Sequence, residues 1–198
     1  MIDPADILAI EEEPAPVVPQ PPTVDTPHPY TTAYADGSST GGWGPGGWGW
    51  CVLDGPYAGR EGSGGSGWTT NQRMELQAAH EAMQAIPGLL LIVSDSEYVV
   101  RGFNEWLRGW VAKGWRKVSN TDLWQPAAET FLARSGEVRF AWAKGHSGLP
   151  GNERADELAG AARLAVPFAD WGPKHDPVAY AAYTAPGGRS SNGKAARA

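Results

Sequence analysis

Four carboxylates in this chain stand where a folded backbone could gather them: Asp36, Glu75, Asp95 and Asp156. Asp36 is expected to end a strand, immediately before Gly37 and Ser38. Asp95 follows the apolar run Leu89–Val93, and sites in open α/β sheets collect beyond the carboxyl ends of strands. Glu75 lies four, seven and eleven residues before Ala79, Ala82 and Ile86, on a small apolar helical face of the kind that turns toward a sheet. Asp156 falls in the first two turns of the last expected helix, ahead of Leu158 and Ala159. An inward-facing acid is costly unless it is paired or bound to a cation, and no Lys or Arg flanks Asp36 or Asp95. Taken singly, each acid reads as a cap, a turn or a surface ion pair. Four together at strand ends and helix starts read as a shared cation site, whose hard oxygen donors select Mg²⁺, with Mn²⁺ as a substitute. Asp54, Glu97, Asp122, Glu153 and Glu157 read as turn, cap or exposed-face residues.

The elements that must position these acids lie between Tyr30 and about Val166. Thr31–Asp36 and Trp48–Leu53 read as strands separated by a glycine-rich turn, and Gly59–Trp68 completes a meander although it is poor in strand formers. Thr69 and Gln72 fit a capping box, with Thr69 as N-cap, opening a helix that runs to Ile86 and stops at Pro87-Gly88. Leu89–Val93 is a continuous apolar run, the mark of a strand covered on both faces. Helices are expected near Glu97–Val111 and Leu123–Ala133, a strand over Glu137–Trp142 and a closing helix over Asn152–Leu164. The order βββ-α-β-α-α-β-α makes this an α/β fold with three antiparallel strands first and parallel crossovers after.

In order along the chain, Tyr34-Ala35-Asp36-Gly37-Ser38, Gly44-Pro45-Gly46-Gly47-Trp48-Gly49, Thr69 to Leu76, Ser94 to Val99, Trp106 to Trp115, Asn120 to Trp124, Trp142 to Gly148 and Asn152 to Ala159 resemble the type 1 ribonuclease H family. The resemblance covers nearly all of residues 30–164. It implies the ribonuclease H fold, a five-stranded mixed sheet flanked by helices. It also implies endonucleolytic cleavage of the RNA strand of an RNA–DNA hybrid, leaving 5′-phosphate and 3′-hydroxyl ends. By the same resemblance Asp36, Glu75, Asp95 and Asp156 hold two Mg²⁺ ions, Asp36 contributing to both. Glu75 corresponds to an acid close to the ribose 2′-hydroxyl. His146, between glycines ten residues before Asp156, takes the position assigned to proton handling or product release. His28, His80 and His175 have no such setting.

A hybrid is recognised by its shape and its 2′-hydroxyls. The resemblance assigns Asn71 and Gln72 to the minor groove, Thr70 and Asn120 to a pocket for a DNA phosphate, and the Trp106–Lys117 region to a basic handle. Of the ten tryptophans most are expected in packing; Trp106 is the expected substrate contact, while Trp124 is expected to pack against helices. Two departures stand out. The first glycine-rich turn reads Gly41-Gly42-Trp43, without the side-chain amide common in the family, and the handle is reduced to a short stretch whose charges are Arg116 and Lys117.

Composition and charge partition agree with one domain and two arms. The chain has 198 residues, 41% of them apolar and 19% charged, with a net charge of −6. Residues 1–29 hold Asp3, Asp6, Glu11, Glu12, Glu13 and Asp25 without Lys or Arg, so the remainder is balanced. The expected division is an acidic, proline-rich disordered arm over residues 1–29, a catalytic domain over 30–166 and a flexible Gly/Ala/Ser-rich tail over 167–198. A single cysteine, Cys51, excludes an internal disulfide and a cysteine-based metal site. No membrane-length apolar run and no basic, apolar leader are present, so a cytoplasmic monomer is expected, with an unidentified protein partner as one use for the acidic arm. Two rivals stay open here: a strand transferase or 3′ exonuclease on the same sheet, and a non-catalytic binding module.

Overall fold

The computed structural model describes residues 29–134, 137–167 and 170. The arm expected over 1–29 and the tail over 167–198 therefore lie outside the described residues, apart from Pro29, Pro167 and Asp170.

The apolar run forms β4 (Leu90–Ser94), and each of its residues is buried, as a strand covered on both faces requires. On one side it pairs in parallel with β5 (Val138–Trp142), on the other with β1 (Thr31–Ser39). From β1 the chain turns back into β2 (Gly44–Cys51) and again into β3 (Glu61–Thr69), both pairings antiparallel. The result is a five-stranded mixed sheet in the order β3-β2-β1-β4-β5, the α/β arrangement expected.

Side chains alternate across this sheet. Ala33, Ala35, Leu90, Ile92, Val138 and Phe140 face one large core shared with α1 (Asn71–Ala85), α2 (Glu97–Arg101), α3 (Leu107–Ala112) and α4 (Thr121–Ala133). Its centre is aromatic. Trp124 is completely buried against Tyr98, Phe103 and Trp110, and Phe103 stacks on Phe140 at 4.2 Å between centroids. On the opposite face Leu91, Val93, Ala141 and Ala143 form a smaller cluster with Tyr30, Tyr34 and Leu149. There α5 (Pro150–Leu164) crosses the sheet. Among the described residues no helix is long and apolar enough to cross a membrane.

Four expectations are corrected. β1 does not end at Asp36 but continues to Ser39, because its register with β2 pairs Asp36 with Gly49 and Ser39 with Gly46. β2 correspondingly starts at Gly44 rather than Trp48, through glycines that strand propensity disfavours. Packing explains the exception: a Cβ on Gly47 or Gly49 would run into the backbone of α5. The capping box does not form. Thr69 belongs to β3, with a buried hydroxyl that finds no partner, and Thr70 is the N-cap without a side-chain bond. Finally, the helix expected over Glu97–Val111 is interrupted by a π-helical segment, Gly102–Trp106, where Gly102 lies directly against the Trp124 ring. The stop after Ile86 is held from outside. The Arg134 guanidinium donates to the carbonyls of Met83 and Ile86, both at 2.6 Å, and to that of Gly88, tying off the end of α1.

Candidate active site

The four carboxylates come from four elements: the body of β1, the first turns of α1, the end of β4 and the second turn of α5. Glycine sets the closest of these approaches. At Gly37 a Cβ would collide with the backbone of Met74 and Glu75, so β1 lies against α1 one residue after Asp36. Asp36 is 7% exposed, and its Oδ1 accepts a 2.7 Å bond from the Gly37 amide.

The neighbouring acids are held by polar side chains. Asn71 Nδ2 donates to Glu75 Oε1 and the Ser96 hydroxyl to Glu75 Oε2, each at 2.6 Å. Ser96 is also the N-cap of α2, accepting from the Val99 amide at 3.3 Å, so one hydroxyl ties Glu75 to the helix that follows Asp95. Asp95 receives Asn152 Nδ2 at 3.5 Å on its carboxylate and the Trp142 indole N–H at 3.0 Å on its carbonyl. A Cβ on Gly145 would strike the Asp95 carboxylate, which makes that glycine a close neighbour of the site. Ser96, Trp142, Gly145 and Asn152 do not figure among the acids and groove contacts singled out from the sequence. Adjacency to Asp95 and the one-turn spacing from Asn152 to Asp156 were the available signals for two of them.

Convergence shows in the electrostatics. The Asp36 carboxyl is pushed up to about 8, first by burial and then by the charge of Asp95, with Asp156 and Glu75 adding to it. Glu75 is raised as well, by burial and by Asp95, against the lowering effect of its bonds from Ser96 and Asn71. Ion pairing of Arg73, Arg101, Arg134 and Arg154 goes elsewhere, to Asp122, Glu105, Glu137, Glu61 and Glu157. Among the described residues no three acid, histidine or cysteine side chains close into a finished coordination shell. The donor chemistry nevertheless fits divalent cations. Several carboxylates bear on one buried Asp whose ionised form is penalised, and a hard cation would relieve that penalty.

Residues 28–163 match the family model described as RNase H. The chain belongs to the ribonuclease H family. The ribonuclease H of Cupriavidus metallidurans is 44% identical over 135 residues, covering 65% of this chain and 91% of that protein. That of Verminephrobacter eiseniae is 47% identical over 133 residues, covering 64% and 85%. A crystal structure of LC9-RNase H1, described as a type 1 RNase H with the type 2 active-site motif, matches with a TM-score of 0.58 at 31% identity, covering 70% of this chain and 74% of that one.

The other residues that the ribonuclease H resemblance singles out lie on several separate elements. Thr70, Asn71 and Gln72 begin α1, the last two exposed; with no capping box, Gln72 is not engaged there. Asn120 stands at the start of α4 in a left-handed conformation (φ +57°), its Oδ1 3.4 Å from Arg73 Nη1 and its Nδ2 donating to the Tyr98 hydroxyl at 3.1 Å. Arg116 and Lys117 are exposed on the short link between α3 and α4. Trp106 is half-buried, with the Arg101 guanidinium 4.9 Å from its ring centroid and Trp110 at 5.6 Å. Trp124 packs in the core, as expected. His146 is exposed at φ +51° in the turn after β5, beside the glycine that abuts Asp95.

Proposed function

We propose that this chain is an endoribonuclease that cleaves the RNA strand of RNA–DNA hybrids. The observation that carries the reading is the convergence of Glu75, Asp95 and Asp156 on the buried Asp36, from four elements of a ribonuclease H fold. Asp36, Glu75, Asp95 and Asp156 would hold two Mg²⁺ ions, with Mn²⁺ as a substitute. Bound there, such ions supply Lewis acidity and charge neutralisation for an in-line displacement at phosphorus that leaves 5′-phosphate and 3′-hydroxyl ends.

The protein's own residues do the positioning. Ser96 and Asn71 fix both oxygens of Glu75, and because Asn71 opens α1 at the surface it links a groove contact to the carboxylate centre. Asn152, Trp142 and Gly145 fix Asp95 from the other side. Gln72 reaches the minor groove beside Asn71. Thr70 and Asn120 grip a phosphate of the DNA strand, and Trp106, Arg116 and Lys117 track that strand further out. His146, exposed on its turn, is free to take or give a proton as product leaves.

Incubation with end-labelled RNA–DNA hybrid, duplex DNA, duplex RNA and single strands, with Mg²⁺ and with a chelator, tests the reading. Cleavage confined to the RNA of the hybrid and abolished by the chelator is expected. Cleavage of duplex DNA, exonucleolytic ladders, or tight hybrid binding without cleavage would replace it with one of the rival activities.

A further inference from the structure

The hairpin between β1 and β2 carries no side-chain amide, and its Gly41 and Gly42 adopt φ of +88° and +69°, a conformation that other residues rarely enter. It does carry Trp43, which is 54% exposed. The ring is nonetheless held. Trp68 of β3 stacks on it at 5.9 Å with 26° between planes, and the Arg73 guanidinium lies 5.9 Å from its centroid. Arg73 is itself locked by two bonds to Asp122, at 2.9 and 2.5 Å, and touches Asn120.

The location is informative. Gly44, the next residue, pairs with Thr69 across the β2–β3 ladder. Trp43 therefore stands beside the entry to α1, where Asn71 and Gln72 are exposed and Asn71 binds Glu75. Trp43, Arg73 and Asn120 make a continuous row linking the hairpin to the start of α4.

We propose that Trp43 is a substrate-positioning residue whose ring packs against the sugar edge of the hybrid in the minor groove, replacing with an apolar contact the polar one that this hairpin cannot make. The inference rests on the hybrid-cleaving reading above. Sugar edges offer C–H surface whatever the base sequence, so the contact suits an enzyme indifferent to sequence. A ring already braced by Trp68 and Arg73 has little freedom to lose on binding.

The test uses the full chain and a fluorescent RNA–DNA hybrid. Steady-state cleavage is measured for wild type, Trp43→Ala and Trp43→Phe, and equilibrium binding is measured by anisotropy at several salt concentrations with the same replacements in an Asp36→Asn background. Trp43→Ala should raise KM and Kd about 5- to 10-fold, with kcat within about twofold and the thermal midpoint unchanged. Trp43→Phe should recover most of the loss. The slope of log Kd against log salt should not move, since no charge is removed. Unchanged KM and Kd in Trp43→Ala would overturn the proposal, and so would a slope reduced by about one, because the ring would then act only by holding Arg73 in place. If wild type fails to cleave the hybrid, the functional reading itself falls; if wild type cleaves and Trp43→Ala matches it, only this inference falls.

Discussion

The aromatic core and the carboxylate site, the two ends of this comparison, obey opposite rules. Around Trp124 every feature favours the folded state: a ring with no exposure, three aromatic neighbours, and an indole N–H donating to the Tyr98 hydroxyl at 2.6 Å. Around Asp36 like charges are crowded together, and burial pushes the carboxyl up to about 8. Such an arrangement opposes folding and persists because the rest of the structure over-determines it. The aromatic neighbours of Trp124 include none of the four acids, so mutations at the two ends should separate stability from kcat.

The largest effect is expected from Asp36→Asn. The amide keeps the shape but removes an anionic donor for cations that would be worth several kcal/mol to a charged transition state, so kcat should fall about 10³-fold or more while hybrid binding survives. Near-normal turnover measured on labelled hybrid would remove Asp36 from the chemistry. His146→Ala should be next. A positioned proton-transfer group contributes about 10²–10⁴-fold, and as an exposed residue on a turn it should leave the thermal midpoint unchanged. A loss as complete as that of Asp36→Asn would make His146 essential rather than assisting.

Trp124→Ala probes the other end. Emptying a fully packed tryptophan site costs about 3–5 kcal/mol, a fall in melting temperature of ten degrees or more for a domain of this size. Below that temperature the folded fraction should keep its kcat, because Trp124 touches none of the four acids. A variant that melts normally yet cleaves slowly would show the two ends to be coupled.

How much of this was legible in the residues follows the same division. Asp95, Glu75 and Asp156 could be located on their elements because strand ends and helix faces are local patterns: an apolar run before Asp95, a helical period through Glu75. Asp36 was read at a strand end and lies within β1. What stayed hidden depended on contacts between distant segments. Residues 44–47 read as part of a glycine-rich turn and begin a strand, because α5 needs bare backbone at Gly47 and Gly49 to rest on. Thr69 and Gln72 had the spacing of a capping box, yet the pairing of β3 with β2 takes Thr69 into the sheet. Gly145 stood out only as a neighbour of His146 and is placed hard against Asp95. The bracing of Trp43 by Arg73, thirty residues on, left no local trace at all.

The smallest and most diagnostic effect concerns the metal-free protein. An unfolded Asp titrates near 3.9, whereas folded Asp36 titrates at about 8. Between these values the folded state holds the proton and the unfolded state does not, so the folded state binds more protons and stability falls as pH rises through the window. Glu75 is shifted in the same direction and adds to the slope. Asp36→Asn removes the titrating group and its share of the repulsion. In chelator the variant should therefore melt above wild type by a few degrees near pH 8, and the gap should narrow toward pH 5 as wild-type Asp36 takes up its proton. Saturating Mg²⁺ should narrow or invert the gap at pH 8, since the wild-type carboxylates gain a bound cation that the variant holds poorly. The comparison needs only thermal melts of the two proteins at four pH values, with and without metal. A gap that stays constant with pH would mean that Asp36 is not the acid under strain, and that the cost of the carboxylate cluster is carried elsewhere in it.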